Sequence, residues 1–290
     1  MRVAIIGGSG KMGRWFANFL LKDGKEVIIT GRNEKKLLEA KEQLGVEVTT
    51  SLASAVEGAD VVLISVSIDN FEEVVKQLQP YLQPKQIIID ITSIKVLPIE
   101  IMHQYLKTGL VLGAHPMFGP GAREILNQNF VLTPTNEPET ALAEKVKQYL
   151  AARGARVTLM TPPEHDEMMA VILGLSHFIA IVSADTLLSL GRLKQTEAIG
   201  GTTYKVLLTL AEGVITEDPG FYASLQMNLP KVTEIEALFQ KNSKAWADIV
   251  KNKDRQEFIR RMNTLKERLE KSDPDFRRAY DNMYKLLDRQ

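Results

Sequence analysis

Two short runs carry side chains that could do chemistry. The first is Gly113-Ala114-His115-Pro116-Met117-Phe118-Gly119-Pro120, which follows the apolar stretch at 110–112. Such a stretch reads as a buried strand, and Pro116 and Gly119-Pro120 end regular structure at once. His115 is therefore expected at the carboxyl edge of a sheet, where ligands bind in open α/β folds. The second run is Asp90-Ile91-Thr92-Ser93-Ile94-Lys95, at the end of the apolar stretch 87–89. Two neighbouring strands then bring a hydroxyl, from Ser93, and an imidazole, from His115, to one crevice. A neutral imidazole there can take the proton of a substrate hydroxyl as its carbon is oxidised, which is general-base work.

A third run names what would accept the electrons. Gly8-Ser9-Gly10-Lys11-Met12-Gly13 lies between the apolar stretch 3–6 and a helical pattern with Trp15, Phe16, Phe19 and Leu20. Strand, glycine turn and helix in that order are the context in which this spacing signals a dinucleotide site. Gly8 permits the tight turn, Gly10 lets the backbone approach a pyrophosphate, and Gly13 lets helix and strand pack closely. Ser9, Lys11 and Met12 complete the turn and the helix start, whose amides hold phosphates. The second strand, 26–30, ends in Thr30-Gly31-Arg32-Asn33, with no acid to bind ribose hydroxyls. Arg32 suits a 2′-phosphate by its charge and forked donors, so NADP is expected as the preferred cofactor and NAD as a possible one. Ser65, Val66 and Ser67 end the next long strand and are assigned to the nicotinamide-ribose end. The chemistry these residues support is hydride removal from a carbon bearing a hydroxyl, with the substrate open.

The elements that must hold these groups follow a βα rhythm. Strands are expected at 3–6, 26–30, 46–48, 61–66, 87–90, 110–114, 130–133 and 156–159, with helices at 69–78, 99–106 and 139–152. This predicts a Rossmann-type, doubly wound, mainly parallel sheet over residues 1–162, with Thr161-Pro162-Pro163 as the boundary. Residues 163–290 read as an all-helical domain. The stretch 168–190 is strongly apolar yet holds Ser176, His177 and Asp185, so it reads as a helix buried in the protein or at a subunit interface. The tail carries two amphipathic stripes, Phe258, Met262, Leu265, Leu269 and Phe276, Tyr280, Met283, Leu287, expected to make core or dimer contacts.

Composition excludes several classes. Lys plus Arg and Asp plus Glu number 36 each, so no net field draws the chain to nucleic acid or an acidic membrane. Cysteine is absent, which rules out disulfides, thiolate catalysis and cysteine-ligated metal. Four scattered histidines make no metal site. The run before Gly7 is too short for a signal-peptide core, so a cytoplasmic protein is expected.

At these motifs the chain resembles the prephenate/arogenate dehydrogenase family. The likeness rests on the glycine turn, Asp90-x-x-Ser93-x-Lys95, His115-Pro116-Met117-Phe118-Gly119-Pro120, His165-Asp166 and Ser176-His177-Phe178, in order over about the first 230 residues. The resemblance implies oxidative decarboxylation of prephenate to 4-hydroxyphenylpyruvate in tyrosine biosynthesis, or the same reaction on arogenate. It puts the ring hydroxyl on His115, assisted by Ser93, and substrate contacts on His177, Lys205 and Gly119. It also implies a homodimer formed through the helical domain. The family commonly places arginines where this chain has Lys205 and Gly213; Lys205 can still hold a carboxylate as a point charge, and Arg123, Arg192 or a partner subunit is left to compensate for the missing second arginine. The rival readings are another small Rossmann reductase of hydroxyacid or imine type, and a non-catalytic NADP(H)-sensing protein.

Overall fold

Eight short apolar runs build one sheet. The computed structural model describes residues 1–287, and Cα packing divides them into two compact units, Met1–Met169 and a second beginning at Ala170. The first unit runs β1 (Arg2–Ile6), α1 (Lys11–Lys22), β2 (Glu26–Thr30), α2 (Glu34–Leu44), β3 (Glu47–Thr49), α3 (Leu52–Val56), β4 (Val61–Ile64) and α4 (Ile68–Leu78). It continues with β5 (Ile87–Asp90), α5 (Val96–Tyr105), β6 (Leu110–Pro116), β7 (Asn129–Thr133), α6 (Glu137–Ala151), β8 (Arg156–Leu159) and α7 (Pro162–Met169).

The strand order is β3-β2-β1-β4-β5-β6-β7-β8. All neighbours are parallel except β6 and β7, which pair antiparallel with His115 opposite Val131. The winding reverses between β1 and β4, which opens a crevice at their carboxyl ends. Alternation along each strand fills two cores. Val3 and Ile5 pack with Phe16, Leu20 and Ile29, whereas Ala4 and Ile6 pack on the other face with Val62, Ile64 and Phe71. Strands buried on both faces have no polar side to show, which is why they read as continuous apolar runs.

Three expectations are refined. The strand expected at 61–66 ends at Ile64, and β6 runs past Ala114 to Pro116, so His115 sits inside the strand rather than just beyond it. The unit also continues past the expected boundary at 162, because His165, Asp166 and Met169 of α7 are buried.

The second unit is helical throughout its described residues. A π-helical turn (Ala170–Leu175) leads into α8 (Ser176–Ser189), then α9 (Leu193–Ala198), α10 (Thr202–Ile215), α11 (Pro219–Asn228), α12 (Val232–Lys251), α13 (Arg255–Ser272) and α14 (Ala279–Leu287). Asp218 caps α11 by accepting from the Gly220 and Phe221 amides, with Pro219 at the first helical position. The apolar stretch at 168–190 is not a buried helix: Ile172, Val182, Leu188 and Leu190 are all exposed, so apolar composition here does not report burial. Phe258, Met262, Leu265 and Leu269 are exposed as well, which removes them from the core. Phe258 meets Trp246 edge-on at 5.1 Å, and the Leu287 side chain lies outside the described residues.

Candidate active site

The glycine turn folds as its spacing requires, with one shift of role. Gly7, rather than Gly8, takes the left-handed conformation, at φ 78°, and a Cβ there would lie 2.3 Å from the Ser65 carbonyl oxygen. Gly13 lets α1 approach the turn, since a Cβ would meet the Gly8 Cα at 2.6 Å. Arg14 fixes the turn from α1. Its Nε donates to the Ser9 carbonyl, while its other nitrogens donate to the Lys36 carbonyl and Gln43 on α2.

A cavity of about 350 Å³ opens over this turn. Ser9, Gly10, Arg32, Ser65, Val66 and Ser67 all line it. Gly8 and Gly13 form the packing beneath it, and Lys11 and Met12 belong to the first turn of α1. Asn33 and Lys36 also line the cavity. Lys36 reads from sequence as a solvated first-turn residue, and only the folding of α2 against the turn reveals its place. Among the described residues neither the Arg32 guanidinium nor the Lys36 ammonium has an ion-pair partner. Glycines that a Cβ would displace, together with two such cations, fit a dinucleotide whose ribose carries a phosphate.

The strand ends carry the second part of the site. Lys95 is fully buried, and its ammonium bonds the Asp90 carboxylate and, at 2.8 Å, the Ala114 carbonyl. This ties the end of β5 to the residue before His115. Burial pushes the Asp90 carboxyl up and the Lys95 ammonium down, and each opposes the other's shift by charge. Ser93 is half-buried between them in the chain, on the loop that this ion pair closes. The sequence of that run shows its hydroxyl but not its ion pair, because a Lys five residues from an Asp does not announce burial.

His115 is only 4% exposed. Its Nδ1 lies 2.8 Å from His165 Nε2, and His165 Nδ1 lies 2.7 Å from Asp166 Oδ1. Asp166 in turn accepts the amides of Lys95 at 2.7 Å and Val96 at 2.9 Å, so it caps α5 from a distant helix. The pattern assigns the tautomers. A carboxylate only accepts, so His165 carries its proton on Nδ1 and offers a bare Nε2. His115 must then donate from Nδ1, which leaves its Nε2 as an unprotonated acceptor. Burial holds His115 well below the ordinary imidazole value of 6.5, and the facing His165 and Lys95 add to that shift. Burial lowers His165 as well, against the pull of Asp166. The arrangement is a neutral base with a fixed lone pair.

Gly119 lies on the loop between β6 and β7, with open space around it. That loop is pinned to α1 by a 2.7 Å hydrogen bond from Trp15 Nε1 to the Ala122 carbonyl and by the Trp15–Phe118 ring contact at 4.8 Å. His177 and Lys205 belong to the second unit. His177 stands at the start of α8, its ring edge-on to Tyr222 at 4.8 Å, and burial lowers its pKa. Lys205 is exposed on α10, as is Gly213, where an added Cβ would meet nothing within 4 Å.

Both parts of the chain match domains of known proteins. Residues 16–159 match the model of the prephenate dehydrogenase nucleotide-binding domain, and residues 161–264 match that of the prephenate dehydrogenase dimerization domain. A probable arogenate/prephenate dehydrogenase of Methanocaldococcus jannaschii is 35% identical over 265 residues, covering 90% of this chain and 59% of its own length. The T-protein of Haemophilus influenzae is 30% identical over 263 residues, covering 89% of this chain and 64% of its own length. The chain thus spans about three fifths of the length of these relatives. The same fold occurs in the prephenate dehydrogenase of Aquifex aeolicus, solved with hydroxyphenyl propionate and NAD⁺, at a TM-score of 0.78, 22% identity, and coverage of 94% of this chain and 98% of that one. With a nucleotide-binding and a dimerization domain matched in order along one chain, this protein belongs to the prephenate dehydrogenase family.

Proposed function

We propose that this chain is a nicotinamide-dependent dehydrogenase that oxidatively decarboxylates prephenate or arogenate in tyrosine biosynthesis. The observation that carries the reading is the chain Asp166–His165–His115, which leaves the His115 Nε2 lone pair free at the carboxyl end of β6. In this reading His115 accepts the proton of the ring hydroxyl, with Ser93 orienting the same oxygen. The nicotinamide, when bound, supplies the hydride acceptor. As the hydroxyl carbon becomes a carbonyl, His115 holds its proton, and the carboxylate's electrons pass into the ring as carbon dioxide leaves. The resulting phenolate then takes the proton back, so the base is regenerated. Positioned bases of this kind contribute roughly 10²–10⁴-fold.

NADP is the preferred cofactor in this reading, supported by Arg32 and Lys36 beside the cavity and by the lack of an acid at the end of β2. Substrate contacts from His177, Lys205 and Gly119, a homodimer formed through the helical domain and a cytoplasmic location complete the proposal. The match to a dimerization domain and the exposed apolar side chains of α8 support the dimer.

The test is reduced-cofactor absorbance with prephenate and with arogenate, each offered NAD and NADP. Turnover of either substrate is expected, faster with NADP. Cofactor binding without turnover of either would replace this reading with that of a sensor.

A further inference from the structure

A closed ring of contacts runs through the base, entirely within the first unit. The Lys95 ammonium donates to the Ala114 carbonyl at 2.8 Å, and the chain passes from Ala114 to His115. His115 Nδ1 lies 2.8 Å from His165 Nε2, and His165 Nδ1 lies 2.7 Å from Asp166 Oδ1. That same oxygen accepts the Lys95 amide at 2.7 Å, which brings the ring back to its start. Lys95 thus holds His115 from two sides, by its side chain through the backbone and by its backbone through the imidazole. The side chain passes close to Gly113, where an added Cβ would lie 3.1 Å from Lys95 Cδ. Its ammonium also bonds Asp90 Oδ2, while Asp90 Oδ1 accepts the Thr92 amide at 2.7 Å and its hydroxyl at 2.6 Å. The loop that carries Ser93 is therefore tied to the same cation. A buried ion pair adds little stability over apolar residues of like volume, so its place against the base points to another task.

We propose that Lys95 is the positioning residue of this site: it closes the ring at both ends, which keeps the proton of His115 on Nδ1 and its Nε2 lone pair free. This rests on the function proposed above, in which His115 is the base. The fixed charge has a second effect. A cation beside an imidazole opposes its protonation, and Lys95 lowers both His115 and His165 in this way, while Asp90 opposes it less strongly at His165. The other groups around His115 are accounted for. His165 and Asp166 are in the ring, β7 brings no titratable side chain, and His103 of α5 and Glu139 of α6 pair with each other at 2.7 Å. Lys95 therefore both aims the base and keeps it neutral without touching substrate.

The test replaces the pair together, Asp90→Asn with Lys95→Met, so that no unpaired carboxylate is left buried. Should that protein fail to fold by thermal unfolding, Asp90→Asn with Lys95→Gln keeps a polar group on both side chains and takes its place. Histidine ring nitrogens are followed by NMR across pH, with the His115 signals identified by their loss in His115→Asn. Wild-type His115 should show Nδ1–H alone and titrate below 6.5. In the paired variant an Nε2–H signal should appear and the titration should move up, as should the acid limb of kcat/KM. The kcat value should fall about ten- to a hundredfold, as expected for a misplaced reacting group, with little change in NADP affinity. A folded variant with an unchanged tautomer and titration overturns the assignment and leaves Lys95 a support for the strand ends. The ring spectra need no substrate, so a wild type that turns over neither prephenate nor arogenate would remove the proposed function while the spectra still decide on Lys95.

Discussion

A base is useful only if its lone pair is in the right place, and in His115 that place is decided by two other side chains. With Nδ1 committed to His165, Nε2 is the only nitrogen able to accept. Because burial holds the imidazole below its ordinary value of 6.5, His115 stays neutral through the mildly acid range. The acid limb of kcat/KM should therefore fall below pH 6.5 rather than near it. His115→Asn should lower kcat by roughly 10²–10⁴-fold with little change in the dissociation constant of NADP, measured by fluorescence titration. An active variant would move the base elsewhere. Ser93 and His115 were legible in the sequence because each follows an apolar run that ends abruptly. The pairing of His115 with His165 was not, since fifty residues separate them and only the burial of α7 brings them together.

Helix ends explain what the sequence conceals at the next level. Most helices of the first unit that have a side-chain cap take it from the residue just before them, as α2 does from Asn33 and α6 from Asn136. The start of α5 has no such residue: Lys95 stands at its cap, and Asp166 of α7 supplies the acceptor instead. No local motif could have shown this. Asp166→Asn keeps one acceptor oxygen in place of two, so it cannot serve both amides and His165. The variant should lose about 1–3 kcal/mol of stability by denaturant titration, and kcat should fall about tenfold or more while NADP affinity holds. Lost stability with full kcat would make Asp166 a cap alone. At the other crevice, the β2–α2 connection places Arg32 and Asn33 on the cavity lining, and the proposed preference for NADP rests on it. Arg32→Ala should weaken NADP binding more than NAD binding in parallel titrations, and equal effects would separate Arg32 from the phosphate. The glycine turn was legible because strand, turn and helix are contiguous. The place of Lys36 was not, because it depends on Arg14 drawing α2 against the turn.

For the molecule as a whole, the change from strand rhythm to unbroken helix near residue 160 was plain in the sequence. Which apolar side chains would be covered was not, because composition cannot separate a core from an interface. Val182 of α8 is 40% exposed within one chain, and Leu188 of the same helix is 62% exposed. Sedimentation should find a dimer for the wild type and a shift toward monomer for Val182→Asp; a wild-type monomer would remove the proposed interface. The chain holds just two tryptophans, and each unit has one. Trp15 is bonded to the loop that follows His115, and Trp246 is stacked edge-on with Phe258. Each unit therefore contains its own fluorophore. With Trp246→Phe, emission would report the first unit alone, and with Trp15→Phe the second alone, so the melting of each unit becomes a separate optical signal.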